Sequence, residues 1–268
     1  MSRRTTPRSA PRLTRALTRA GAFVTLGCAS AESLREPLAS DRPDFTESTI
    51  TVKPGIVQLE GGHTFERVTS EKTNTTGELL LRIGIAPRAE LRIEPGSYTK
   101  ITSPGADASG WEDGALGTKL RLYTRPNDNP SFVPDISIVA ATSVPTGGRV
   151  FRQRRPQPEA KLATAWTITD KVDLSTNVVA SRPVDESGRY TELAASASFG
   201  FDLTPRLGAF AEVFGFAPQR DNVGRTHYVD TGSTFCLTPN FQLDARGGVG
   251  LNGAAPDYFV GVGLVRRW

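Results

Sequence analysis

The sequence predicts an all-β fold: an antiparallel, up-and-down transmembrane β-barrel of about twelve strands. Three observations predict it. Apolar and polar residues alternate at period two through run after run of about ten residues. The connections between runs are alternately short and long. The chain ends inside an alternating run, with Tyr258, Val260, Val262, Leu264 and Trp268 on one face and glycines on the other. A terminal strand leaves an edge to be covered, and closure into a barrel removes edges altogether.

Twelve strands are expected near 55–66, 77–86, 88–99, 113–124, 134–144, 158–169, 171–181, 189–203, 206–217, 226–238, 240–251 and 257–268. The clearest is Leu193, Ala195, Ala197, Phe199, Phe201 and Leu203 against Glu192, Ala194, Ser196, Ser198, Gly200 and Asp202. Short turns fall at Ala86-Pro87-Arg88, Thr169-Asp170-Lys171, Thr204-Pro205-Arg206 and Thr238-Pro239-Asn240. Longer polar loops are expected at 67–76, 100–112, 145–157, 182–188, 218–225 and 252–256, while 125–133 is a longer member of the short set. An even strand count leaves both chain ends on the short-turn side, which in an outer-membrane barrel is the periplasm. Tyr123, Phe132, Phe201, Phe241 and Trp268 are expected in an aromatic girdle at the short-turn end. Tyr98, Trp111, Tyr190, Phe216, Tyr228 and Tyr258 are expected in one at the long-loop end.

Composition fits this reading. Only 38% of the 268 residues are hydrophobic, and no apolar run reaches the ~18 residues of a transmembrane helix. Barrel strands average out as mildly polar, so the low value does not argue against a membrane. Six arginines, Arg3, Arg4, Arg8, Arg12, Arg15 and Arg19, precede a short apolar stretch and the small-x-small site Ala29-Ser30-Ala31. That order reads as a signal peptide over 1–31 with cleavage after Ala31; a plain basic tail is the alternative. Leu26-Gly27-Cys28 offers a loose lipoprotein acceptor. The remainder is close to neutral, so no nucleic-acid partner is expected. Only Cys236 would remain after cleavage, so no disulfide, metal or cofactor is expected. Residues 32–54 read as a polar periplasmic segment, and 55–268 as the barrel.

Mid-strand charges on the polar face mark the expected pore lining: Glu60, Arg82, Arg92, Glu94, Lys119, Arg121, Lys161, Asp173, Glu192, Glu212, Asp230, Asp244 and Arg246. The first part of this set is mostly basic and the last mostly acidic, so a basic wall would face an acidic one. Such walls either pair across a narrow lumen or set a transverse field; pairing is favoured, because an unpaired confined charge is costly.

Arg42-Pro43-Asp44-Phe45-Thr46, followed by Pro54-Gly55-Ile56-Val57-Gln58-Leu59-Glu60-Gly61-Gly62-His63-Thr64-Phe65, resembles a family labelled "putative MetA-pathway of phenol degradation". The strand pattern resembles that family over most of 41–268, and the specific likeness lies in the first 25 residues of that range. The resemblance implies an exported outer-membrane barrel that transports aromatic or other hydrophobic compounds. Arg266-Arg267 departs from the family's aromatic-x-aromatic ending. The Arg42-Pro43-Asp44 segment is expected to tuck into the barrel as a plug or brace, with Arg42 and Asp44 meeting charged partners there; an ordinary turn, with Asp44 capping its own backbone, is the alternative.

No catalytic constellation is visible. His63 falls on the lipid-side face and His227 at a loop edge, and no G-x-S-x-G motif is present. Gly247-Gly248-Val249-Gly250 lies within a strand and not before a helix, so it reads as easing curvature and not as a phosphate loop. The expectation is therefore a non-enzymatic channel or transporter for small solutes in a Gram-negative outer membrane. Its partners would be membrane lipid, the barrel-assembly machinery through the C-terminal strand, and the solute. A soluble periplasmic β-sheet binding protein, and an outer-membrane barrel with an enzymatic or structural role, are the alternatives.

Overall fold

The computed structural model describes residues 38–126, 132–153, 155–185, 188–220 and 224–268. The expected signal peptide, its cleavage site and Cys28 lie outside the described residues.

The strands are β1 (Val57–Val68), β2 (Glu71–Ala86), β3 (Ala89–Glu94), β4 (Tyr98–Ser103), β5 (Ala106–Trp111), β6 (Gly114–Tyr123), β7 (Asp135–Val144) and β8 (Pro158–Thr169). They continue with β9 (Val172–Ser181), β10 (Val184–Asp185), β11 (Gly188–Arg189), β12 (Thr191–Asp202), β13 (Leu207–Gln219), β14 (Thr226–Thr238), β15 (Phe241–Gly250) and β16 (Tyr258–Arg267). Twelve of them form the wall in sequence order, each antiparallel to its neighbours, and β1 pairs with both β2 and β16. That double pairing closes the ring, so every inner wall strand has two partners and the edge problem disappears. The seam ends at the short-turn rim, where the Trp268 N–H donates to the Val57 carbonyl at 2.8 Å.

Burial is inverted relative to a water-soluble protein. Arg82 and Lys119 are 0% exposed, whereas Val178 and Val262 on the outer face are 57% exposed. Leu91, Leu116, Leu162, Leu193, Val213, Leu243, Val260 and Leu264 continue the exposed apolar surface around the ring. In water this arrangement would be unfavourable on both faces; in a bilayer the outer face meets hydrocarbon and the charges stay inside. The soluble-sandwich alternative, in which apolar faces meet one another, does not describe this molecule.

Three expected loops are partly strand. β1 and β2 run up to a tight turn at Thr69-Ser70, and β4 and β5 form a hairpin that pairs with the upper part of β2. These arms are rich in Thr and lack apolar alternation, so their strand character was hidden. Within β2, Gly77 (φ 102°) and Glu78 (φ 42°) sit at a bulge where the register against β1 shifts between Glu60 and Gly62. A bulge flips which side chains face inward. The expected loop at 182–188 holds the small hairpin β10–β11. Of the aromatic girdles, Tyr98, Trp111, Phe201 and Trp268 are exposed as expected. Phe216 and Tyr228 instead join an inward aromatic cluster.

Residues 38–56 lie inside the barrel. The segment starts among the short turns, with Leu38 beside Thr204, Pro205 and Pro239. It rises to Phe45 in the long-loop half, where Phe45 meets Phe214 and Phe216. It then descends to Pro54, whose bridge to Gly84 delivers the chain to β1. A Cβ on Gly84 would sit 1.8 Å from the Lys53 carbonyl oxygen, so only glycine allows this close backbone passage.

Candidate functional site: the occupied lumen

The inward face of β1, β2, β3, β6 and β8 presents Glu60, Arg82, Glu90, Arg92, Lys119 and Lys161. Each is placed by the strand period, which sends alternate side chains to the lumen. Asp41 of the inserted segment enters the centre of this group. Its carboxylate lies 2.6 Å from Arg92, 2.7 Å from the Lys119 ammonium and 3.2 Å from Arg82. Glu47, six residues further on, lies 2.6 Å from Lys161 and 3.1 Å from Arg92. The wall acids complete the balance: Arg82 donates to Glu90 through Nε at 2.9 Å and to Glu60 through Nη1 at 3.0 Å. Burial by itself would push the Asp41 carboxyl up, but Arg82, Lys119 and Arg92 outweigh it and hold the group well below the ordinary carboxylate range. Glu47 has the same contest between burial and cations, chiefly Lys161 and Arg92, and is brought down to about 2.

The wall also reads the segment's backbone. Glu90 accepts from the Val52 N–H at 2.7 Å, and Ser137 donates to the Thr49 carbonyl at 2.5 Å. Asn177 accepts from the Glu47 N–H at 2.8 Å and donates to the Glu47 carbonyl at 3.1 Å. Glu212 accepts from the N–H groups of Phe45 and Thr46 at 2.7 and 2.8 Å. An irregular segment buried in this way needs partners for its peptide groups, and the polar face supplies them.

Arg42 reaches the wall beside the β1–β16 seam. It donates to Glu78 at 2.9 Å and makes longer contacts of 3.4 Å to Asp244 and to the Val262 carbonyl. Its guanidinium lies over the cross-strand pair Gly62–Gly263. A Cβ at either position would come within 2.3–2.5 Å of guanidinium nitrogens, so the two glycines form the slot that receives it. Asp44 has no comparable cation. It accepts a hydrogen bond from Ser198, but burial and the neighbouring Glu212 and Asp230 push its carboxyl well above the ordinary range. Arg42 thus lies against carboxylates of the wall, whereas Asp44 lies among carboxylates.

The segment's tip is aromatic. Phe45 stacks on Phe214 at 4.9 Å between ring centroids and meets the edge of Phe216 at 5.2 Å. Tyr228 stacks on Phe214 at 4.6 Å, and Phe259 closes the cluster edge-on at 6.4 Å from Tyr228. Gly248 makes the room: a Cβ there would lie 2.3 Å from the Phe259 ring. Gly248 and Gly250 thus admit neighbouring groups, whereas a Cβ on Gly247 would meet only ordinary contacts.

The expected pore-lining residues divide into three groups. Glu60, Arg82, Arg92, Lys119, Lys161, Glu212 and Asp244 are buried against or beside residues 38–56. Asp230 is buried cross-strand from Glu212, and Arg246 lies over the Phe259 ring at 5.3 Å. Glu94 and Asp173 are exposed, Glu192 is half-buried at the start of β12, and Arg121 pairs loosely with Asp135 at 3.9 Å. The basic residues do not pair with the acidic far wall. Their short contacts go to Asp41, Glu47, Glu60 and Glu90, because the inserted segment occupies the space between the walls. Asp41, Glu47 and Glu90 were missed by sequence reasoning. Glu90 had a usable signal, since it shares the inward period of Arg92. The terminal arginines also split: Arg266 faces out over Trp268, while Arg267 points inward and donates to Asn240 and the Pro239 carbonyl. Among the described residues, no group of three or more His, Cys, Asp or Glu side chains is placed to hold a metal ion.

Closed ring, apolar belt and charged interior define a transmembrane β-barrel of the outer-membrane type. The chain belongs to the family described as "Putative MetA-pathway of phenol degradation", whose model matches residues 40–268. Among solved structures it is similar to the COG4313 outer membrane channel from Pseudomonas putida F1, with a TM-score of 0.64 and 16% identity, covering 85% of this chain and 99% of that one. It is also similar to the NanC porin and the KdgM porin, each with a TM-score of 0.52 and 10% identity, covering 78% of this chain and 98% of theirs. No curated protein sequence matches it.

Proposed function

We propose that the protein is an outer-membrane channel for small solutes, aromatic or hydrophobic compounds among them, and that residues 38–56 are its internal plug. The observation that supports this best is the chemistry of the plug's seat. Its ends lie at the short-turn rim, it is held by polar contacts in place of a continuous apolar core, and it borders a cavity of about 360 Å³. Asp44, Phe45, Glu78, Glu94 and Arg246 line that cavity, so a solute there meets both charge and an aromatic face. Glu60, Arg82, Arg92, Lys119, Lys161 and Glu212 would line the path exposed when the plug shifts.

A second reading is a barrel that stays closed and serves a structural role; the filled lumen favours it. Planar-bilayer conductance and liposome swelling separate the two. Asp41→Asn with Glu47→Gln removes the two plug carboxylates that meet the wall cations, without changing side-chain shape, and on the channel reading raises conductance and swelling several-fold over wild type. Absence of conductance steps and of swelling in both proteins would leave the structural reading.

A further inference from the structure

Phe45 is the one aromatic residue of the segment 38–56, and its ring occupies a defined socket. Phe214 forms the floor, stacked at an interplanar angle of 14°. Phe216 stands edge-on at 73°. The Lys161 ammonium lies 5.6 Å from the Phe45 ring centroid. Phe214 is itself braced from its neighbour strand by Tyr228, stacked at 7°, so the floor remains in place without Phe45. Phe45 itself lines the 360 Å³ cavity, so a small molecule there meets the ring that fills the socket. Floor, edge and ammonium are features that recognise a flat π-system and give a saturated ring much less.

We propose that the Phe45 socket is a binding site for the aromatic ring of a solute, and that solute and Phe45 compete for it, so that occupancy releases the plug's tip. The gating consequence rests on the channel reading; the binding does not. In the intact protein the solute's apparent affinity is reduced by the fraction of time Phe45 vacates the socket. Emptying the socket removes that competition. Stacking and the ammonium together favour an aromatic ring over its saturated counterpart by about tenfold.

The test uses purified full-length barrel in detergent, with benzyl alcohol and cyclohexylmethanol as probes of matched size. Calorimetric titration should show Phe45→Ala binding benzyl alcohol about tenfold more tightly than wild type does, and about tenfold more tightly than it binds cyclohexylmethanol. Phe214→Leu in the same background should abolish the difference between the two alcohols. In wild type, benzyl alcohol at saturation should accelerate amide exchange of residues 39–52, and cyclohexylmethanol should not. Equal binding of both alcohols by Phe45→Ala, or no gain over wild type, overturns the proposal. If Phe45→Ala fails to give a heat-modifiable folded band, the wild-type exchange experiment decides: equal effects of the two alcohols overturn it. Conductance measurements decide the channel reading separately.

Discussion

Replacing Asp41 by Asn isolates the electrostatic contribution to plug docking. The buried group contains four cations, Arg82, Arg92, Lys119 and Lys161, and four carboxylates, Asp41, Glu47, Glu60 and Glu90. Asn keeps the shape and removes one negative charge, leaving Arg82, Arg92 and Lys119 around a neutral amide. Breaking a buried pair by removing one partner costs about 3–5 kcal/mol. Because Asp41 belongs to the proposed plug, that cost falls on docking of the plug. At ~1.4 kcal/mol per decade, the docked-to-released ratio falls by roughly two to three and a half decades. Native-state hydrogen exchange of the amides at 39–52 measures the opening free energy directly. A compensating Lys119→Met change restores the charge balance and should recover most of the loss, a coupling that a double-mutant cycle reads out. The electrostatic account fails if the opening free energy of Asp41→Asn stays within about 0.5 kcal/mol of wild type. It fails equally if the double variant is no better than the single one.

Asp44→Asn should act in the opposite sense: it removes a carboxyl crowded by Glu212 and Asp230, so exchange at 43–48 should slow. A raised docked-state value also means that the Asp44 contribution is present at low pH and lost as pH rises, so Asp44→Asn should flatten the pH dependence of exchange above about pH 4. Glu47 is lowered on docking, so its contribution is present above the ordinary glutamate value of about 4.5 and is lost as pH falls toward about 2, which acid titration of the exchange rates will show. Gly263→Ala should expel the Arg42 guanidinium from its slot, since the new methyl would lie about 2.5 Å from it. The expected cost is about 1–3 kcal/mol of docking, seen as faster exchange around residue 42 with the barrel's own heat-modifiability intact.

Most of the wall was legible because lipid on one side and polar groups on the other impose period two on each strand. The run 193–203 shows it plainly, and the charges at Arg82, Lys119 and Glu212 point inward as their position in the period requires. The Thr-rich arms of β1, β2, β4 and β5 escaped, since strands that leave the hydrocarbon have no reason to alternate. The usual preference of aromatics for the interface points Phe216 and Tyr228 to a girdle, although Phe216 shares the period of Glu212 and Tyr228 that of Asp230. The partners of Asp41 and Glu47 were illegible for another reason. Segment 38–56 has no periodicity, and Lys119 and Lys161 lie 78 and 114 residues away from the carboxylates they meet.

The segment that fills the lumen touches almost every staff of the wall. It has contacts on β1 through Glu60, β2 through Arg82, β3 through Arg92, β6 through Lys119, β7 through Ser137 and β8 through Lys161. They continue on β9 through Asn177, β12 through Ser196, β13 through Glu212, β15 through Asp244 and β16 through Val262. No such set of partners exists until the first and last strands have met. The segment is therefore a gauge of assembly: it can seat only in a barrel with the correct circumference and register, and once seated it ties strands that are remote along the wall into one cooperative unit.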